Sequence, residues 1–379
     1  MDISTDKIVE ECIRAISEKV RNLKSLNIVV AGKTGVGKST LINSVFRENL
    51  AETGIGKPVT THMRRIEKKD FPLKVYDTRG FELGREVQKE VKNEIMDTIR
   101  AGLATKDINQ AIHCIWYCIN TASNRVEPEE IQWLKDFSEE NRVTQVPVII
   151  VLTQSFSKKK AAQLKNILLD ENLDVVQVVP VLAIDYEIDD EYIVKAYGLD
   201  KLISVMTEAL PDELIDTLQN VQKASLEEKK RRAQKAVATA VAASFGEGFA
   251  PVPFTDAAML VPTQITMIAS ITAIFGVNVS KSVIMAFITS ALGTSGATIA
   301  GRTLASNLLK LVPGAGTILG GSISGATAGL ITTTLGEAYI QLMTAVYKGE
   351  INVNQMNSKE IRKKFKEMFA ERFKVEKNK

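Results

Sequence analysis

The sequence predicts an α/β fold, a doubly wound and mostly parallel sheet, followed by an all-α helical domain rich in Gly and Ala. Three observations predict it. Strand-like and helix-like segments alternate from residue 26 to about residue 210, the pattern of a parallel sheet covered by helices. An apolar run, a Gly-rich turn and a helical segment follow one another at the start of that region, residues 26–49. Composition then shifts after Lys235, where charged residues become sparse. At 379 residues the chain is long enough for two domains.

Residues 1–25 are predicted to hold an amphipathic helix, because Ile8, Cys12, Ile16, Val20 and Leu23 fall at helical spacing. Packing on the next domain or an oligomer contact would bury that face. Residues 26–210 make the α/β domain. Its strands are expected at 26–31, 64–69, 72–77, 111–119, 146–152 and 176–183. Its helices are expected at 40–49, 86–101, 128–141, 158–171 and 198–210. Residues 185–191 read as an acidic, solvated loop. Pro211 marks a boundary, and residues 211–235, with the run Glu227-Glu228-Lys229-Lys230-Arg231-Arg232, read as a charged, exposed linking helix.

Residues 236–347 form the Gly/Ala-rich helical domain, with charge-free runs at 257–280, 282–301 and 311–336. Each run reaches the roughly 20 residues that a membrane span needs, yet Gly, Ser, Thr and Pro interrupt them. Gly316 and Gly320, then Gly321, Gly325 and Gly329, recur every four residues, which lets helices approach closely in a bilayer or in a soluble bundle. Both settings stand at this point. Residues 348–379 end in a charged amphipathic helix with Ile361, Phe365, Phe369 and Phe373 four residues apart, fit to pack on the bundle or to lie on a membrane.

The chemistry concentrates at residues 32–39, Gly-Lys-Thr-Gly-Val-Gly-Lys-Ser, a G-x-x-x-x-G-K-[ST] phosphate loop. Backbone N–H groups of Gly32, Lys33, Thr34, Gly35, Val36 and Gly37 curl around phosphate oxygens, and the helix start at Ser39 and Thr40 adds partial positive charge. Lys38 reaches the β- and γ-phosphates, and the Ser39 hydroxyl ligates Mg²⁺. Asp77-Thr78-Arg79-Gly80, at the end of an apolar strand, supplies the D-x-x-G partner. Asp77 holds Mg²⁺ through water, and the Gly80 N–H senses the γ-phosphate. Between the two motifs, Thr60, or else Thr61, is the hydroxyl expected on Mg²⁺.

This constellation resembles the translation-factor-related GTPases, in particular their Era-like, septin-like and immunity-associated branches, over residues 26–210. The resemblance implies GTP and GDP as ligands, Mg²⁺ as cofactor, hydrolysis of the β–γ anhydride, and switch loops near 50–64 and 79–90. It places Lys38, Thr60 and Gly80 in the hydrolytic site. It places Thr153, Gln154 and Ala183 at the guanine base. The sequence departs from the family pattern twice. Phe156 stands where the family carries the Asp that accepts from guanine, and Phe81 stands where Ras-like members carry a water-orienting Gln. Arg79, Arg85, Lys33 and Arg125 are candidate sources of a transition-state cation, with self-association or a partner as the trigger. Glu127, Glu129 and Glu130 read as acidic residues at a helix N-terminus. The region after Lys235 resembles an uncharacterised family of helical domains fused to such GTPases, through residues 251–256, Gln264, Met267-Ile268 and Phe275-Gly276. Together these imply a switch whose nucleotide state controls the hydrophobic helical domain, by membrane association or by assembly into a homodimer or larger oligomer. The alternative is a nucleotide-gated membrane or scaffold protein with negligible turnover.

Several classes are disfavoured. Net charge is +3 and basic residues are not interleaved with aromatics, so no nucleic-acid partner is expected. Two histidines give little basis for histidine chemistry. Three cysteines in apolar contexts make neither a disulfide framework nor a zinc site, which points to a reducing, cytoplasmic setting. The mixed-charge N-terminus shows no signal core, and a peripheral or inserted membrane location is the alternative.

Overall fold

A computed structural model describes residues 5–50, 55–78, 84–123, 125–246, 252–253, 260–277, 281, 283–284, 287, 322–323, 325–352 and 358–377. The chain divides into two units. One is Leu23–Glu228; the other joins Met1–Asn22 to Lys229–Lys379. Helix α1 (Thr5–Arg21) thus belongs to the unit that the C-terminal region completes.

The sheet of the first unit grows from β-branched runs. Strands β1 (Leu26–Ala31), β4 (Leu73–Thr78), β5 (Cys114–Asn120), β6 (Val148–Thr153) and β7 (Gln177–Pro180) pair in parallel in the order β4-β1-β5-β6-β7. Strands β2 (Ile55–Pro58) and β3 (Met63–Glu67) extend the β4 edge antiparallel, and β2 was not anticipated from its Gly- and Pro-containing sequence. Alternate residues of β1 face opposite layers. Leu26, Ile28 and Val30 share one core with α2 (Lys38–Val45), α6 (Leu199–Ala209) and α7 (Asp212–Val221). Val29 and Ala31 share the other with α3 (Arg85–Ala104), α4 (Pro128–Asn141) and α5 (Lys158–Asp170). Both faces are covered, which is why the central strands read as unbroken apolar runs. The α/β fold followed by a helical region is as the sequence predicts.

Two expectations for this unit are corrected. Residues 211–235 are not one exposed helix. Helix α7 buries Leu214, Ile215, Leu218 and Val221 in the core, and a new helix, α8 (Leu226–Gly246), begins after a break. Gln222 fixes the break: its amide donates to the Ser225 carbonyl and accepts from the Ser225 N–H, both at 2.8 Å. The acidic stretch 185–191 is not a plain loop either. Strands β8 (Tyr186–Glu187) and β9 (Ile193–Val194) form a hairpin, and Asp189 closes its turn by accepting from the Glu191 and Tyr192 N–H groups.

Polar groups buried at the base of β1 are satisfied locally. The Asn27 side chain donates to the Asn109 and Ala111 carbonyls, and its backbone N–H donates to His113 Nδ1 at 2.9 Å. His113 Nε2 in turn donates to the Ile108 carbonyl at 2.8 Å.

In the second unit, α1 buries Ile8, Val9 and Cys12 and packs along α9 (Leu260–Phe275). Helix α10 (Gly325–Tyr347) packs on α9 and on α11 (Ser358–Lys377). The Phe ladder of α11 points inward: Ile361, Phe365, Phe369 and Phe373 are all buried, and Phe365 meets Phe287 edge-on at 4.6 Å. Packing on the bundle is therefore what that stripe does here. Close approach at one point requires glycine. A Cβ on Gly336 would stand 2.5 Å from Val237 and 3.0 Å from Met267. Lys229 is buried, and its ammonium donates to the Ile274 and Phe275 carbonyls at the end of α9, where helix carbonyls lack intrahelical partners. Among the described residues, no helix is long and apolar enough to cross a membrane. Gly316, Gly320, Gly321 and most of the 282–301 run lie outside the described residues, as does most of 251–256.

Candidate functional site

The site forms where β1 ends. Its turn needs glycine at two places for different reasons. Gly32 has φ +135°, and a Cβ there would fall 2.4 Å from the Cys118 carbonyl oxygen. Gly37, φ +94°, caps α2 in the left-handed region. Lys38 folds back over this turn, its Nζ donating to the Gly32 and Lys33 carbonyls at 2.8 and 2.9 Å. Lys33 pairs with Glu130 at 3.0 Å. Glu130 is buried and accepts from the Tyr117 hydroxyl, which burial and the Glu130 charge hold protonated. Glu130 is thus a specific partner of the loop and not merely an acidic residue at a helix start. Beneath the turn, burial pushes the Cys118 thiol up to about 12, so it is no nucleophile.

Asp77, the penultimate residue of β4, lies beside Val30 of β1. Its Oδ2 accepts from Arg64 through Nε at 3.0 Å and Nη2 at 2.9 Å. Its Oδ1 is buried with no hydrogen-bond partner among the described residues. Arg64 escaped sequence reasoning, although the antiparallel register of β3 on β4 sets it opposite Asp77.

Thr60 donates its hydroxyl to Glu94 of α3. The same carboxylate takes the His62 N–H at 3.1 Å and lies 3.2 Å from His62 Nδ1. Thr61 is exposed. Glu94 was also missed, because nothing local to α3 announces a partner 34 residues upstream. Arg79, Gly80 and Phe81 lie outside the described residues. Of the other candidate cations, Arg85 and Arg125 sit exposed against Glu129 and Glu127.

At the far end of the loop, Thr153 and Gln154 hold the phosphate turn itself. The Thr153 hydroxyl donates to the Val36 carbonyl, and Gln154 Nε2 donates to the Gly35 carbonyl at 3.0 Å. Thr121 clamps both from behind, donating to their carbonyls. Next to them opens a cavity of about 200 Å³ lined by Gly37, Thr40, Gln154, Phe156, Ala183 and Tyr186, among others. Tyr186, from the β8–β9 hairpin, was not foreseen in the site. Its ring lies 4.2 Å from that of Phe156, tilted 46°. Among the described residues no group of three His, Cys, Asp or Glu side chains could hold a metal by themselves. A phosphate-bound Mg²⁺ draws on hydroxyls and a single carboxylate instead.

Residues 27–154 match the family described as 50S ribosome-binding GTPase, and residues 208–372 match a domain of unknown function, DUF697. The chain therefore contains a P-loop GTPase domain and a DUF697 domain. Septin-4 of Rattus norvegicus is 30% identical over 164 residues, 37% of this chain and 35% of that protein. Septin-14 of Mus musculus is 24% identical over 205 residues, 48% of this chain and 45% of that protein. The chain thus spans less than half the length of these relatives. The crystal structure of Toc33 from Arabidopsis thaliana in complex with Mg²⁺ and GMPPNP aligns with TM-score 0.32 and 18% identity, over 53% of this chain and 91% of that one.

Proposed function

We propose that this protein is a Mg²⁺-dependent, GTP-binding and GTP-hydrolysing switch of the translation-factor-related class, whose nucleotide state controls its helical unit. One observation carries the reading: a buried Asp77 oxygen, without a hydrogen-bond partner among the described residues, near the end of the strand beside the one that leads into the Lys38 turn. An orphaned buried carboxylate oxygen is costly unless a ligand, here water on a cation, completes it. Ser39, Thr60 and Asp77 would hold Mg²⁺, with Thr61 as the reserve hydroxyl. Held there, the ion would supply positive charge to offset the negative charge that develops on the phosphates.

The chain's own groups must rearrange for this. Lys38 exchanges two backbone carbonyls for phosphate oxygens. Thr60 leaves Glu94, and Asp77 keeps Arg64 on its other oxygen. The Thr60–Glu94 bond is the one that the γ-phosphate must outcompete. Order in the switch segments then depends on nucleotide. Gly80 keeps its proposed role as γ-phosphate sensor. Association of a second copy, or of a membrane surface with the helical unit, is the proposed output, in a cytoplasmic setting.

The test is phosphate release from GTP with Mg²⁺ across enzyme concentration, for the wild type and Lys38→Ala. Turnover that Lys38→Ala abolishes supports the reading; equal release by both overturns it. The second reading, binding with negligible turnover, is favoured by Arg85 and Arg125 being engaged by glutamates. It predicts nucleotide binding without release at any concentration. Liposome flotation with and without nucleotide tests the membrane output, and absence of lipid association in both states removes it.

A further inference from the structure

The cavity beside the phosphate loop has the wrong chemistry for a guanine-selective site. Guanine offers two donors on one edge, N1–H and the N2 amine, and a carboxylate facing both gives strong selectivity. Here no charged side chain is among the cavity's lining residues. Phe156 and Tyr186 provide ring faces instead. Two polar side chains of the lining are engaged by the phosphate turn: Thr153 donates to Val36, and Gln154 donates to Gly35. The carboxylate adjacent in sequence, Asp185, is engaged elsewhere, accepting from Lys195 Nζ and from the Ala196 N–H at 2.8 Å each. The volume, about 200 Å³, is below the roughly 300–1,000 Å³ of clefts that take a whole ligand, and suits a single ring system.

We propose that the nucleobase is held by stacking on the Phe156–Tyr186 pair with no carboxylate contact, so that the site accepts purine nucleotides with little preference for guanine. The proposal rests on the reading of residues 32–39 as a nucleotide site and adds the base chemistry. The two parts differ in what they demand of the ligand. The phosphate turn demands a di- or triphosphate. The ring pair demands a flat, extended π-face, which every purine has and which pyrimidines offer over a smaller area. Hydrophobic surfaces discriminate weakly between isosteres, whereas a site built to bond a particular donor rejects the analogue lacking it. Hypoxanthine is guanine without the N2 amine. A carboxylate site would separate GDP from IDP by about 10- to 150-fold. A stacking site separates them hardly at all.

The experiment is displacement of a fluorescently labelled GDP from the full chain, with Mg²⁺, by GDP, IDP, ADP and CDP. Expected midpoints lie within about threefold for GDP and IDP and within about tenfold for ADP, with CDP weaker than all three. Phe156→Ala should weaken GDP and IDP equally, by about tenfold. Phe156→Asp should raise the GDP-to-IDP preference above about tenfold. A wild-type preference for GDP over IDP beyond about threefold overturns the proposal while leaving the nucleotide site intact, and needs no variant to fold. Failure of every nucleotide to displace the probe, with Lys38→Ala binding the probe as the wild type does, overturns the nucleotide-site reading itself.

Discussion

His113 should make the sheet unit acid-sensitive at a pH far above that of its carboxylates. The imidazole is buried, accepts from the Asn27 N–H and donates to Ile108. Protonation would turn Nδ1 into a donor facing a donor. Burial, helped by the nearby Lys74 charge, pulls its pKa from 6.5 down to about 4. The unfolded chain therefore binds more protons at every pH between these values. Stability is fully present above pH 6.5 and is lost as pH falls through the window toward 4. Between pH 7.5 and pH 5.0 the loss is about 2 kcal/mol, out of about 3 kcal/mol for the whole shift. The chain's two tryptophans, Trp116 and Trp133, both lie in this unit, so tryptophan fluorescence in urea follows its unfolding within the intact protein. In His113→Gln, whose amide can accept from Asn27 and donate to Ile108, the midpoint should shift much less between the two pH values. Equal acid losses in wild type and His113→Gln would refute the reasoning.

Two further substitutions probe the packing. Gly32→Ala forces a Cβ onto the Cys118 carbonyl at a backbone angle that alanine resists, and should cost at least about 2 kcal/mol by the same fluorescence assay while weakening nucleotide binding. Phe365→Ala removes a buried ring from against Phe287 and Phe369 and should cost about 3–5 kcal/mol, read as faster hydrogen exchange in Gly325–Tyr347 and Ser358–Lys377 while the sheet strands stay protected.

Most of the sheet was legible because its strands are buried on both faces, and six-residue apolar runs such as Val148–Thr153 admit few other readings. The phosphate turn was legible because its chemistry is local: three glycines, two lysines and two hydroxyls within eight residues. Partners set by register or by packing were hidden. Arg64 meets Asp77 only once β3 lies antiparallel on β4, and Glu94 meets Thr60 only once α3 covers that edge. Helix α7 was obscured for another reason. Its apolar stripe, Leu214, Ile215, Leu218 and Val221, is diluted by the charged residues around it, and composition spoke louder than spacing. Thr153 and Gln154 line the cavity beside the turn, and their second partnership, with the turn's own carbonyls, was hidden because it depends on how β6 meets the phosphate loop.

The placement of α1 has a consequence for how the chain is made. This helix is synthesised before the sheet unit, but α9, on which it packs, is encoded after that entire unit. At translation rates of about 5–20 residues per second, the interval is roughly ten to fifty seconds. Throughout that time Ile8, Val9 and Cys12 have no partner helix, while the 23–228 unit between them can complete its own core. The order of assembly is thereby inverted relative to the order of synthesis: a helix made before the sheet unit docks only after that unit is complete. An apolar stripe that waits this long is a natural substrate for a holding chaperone.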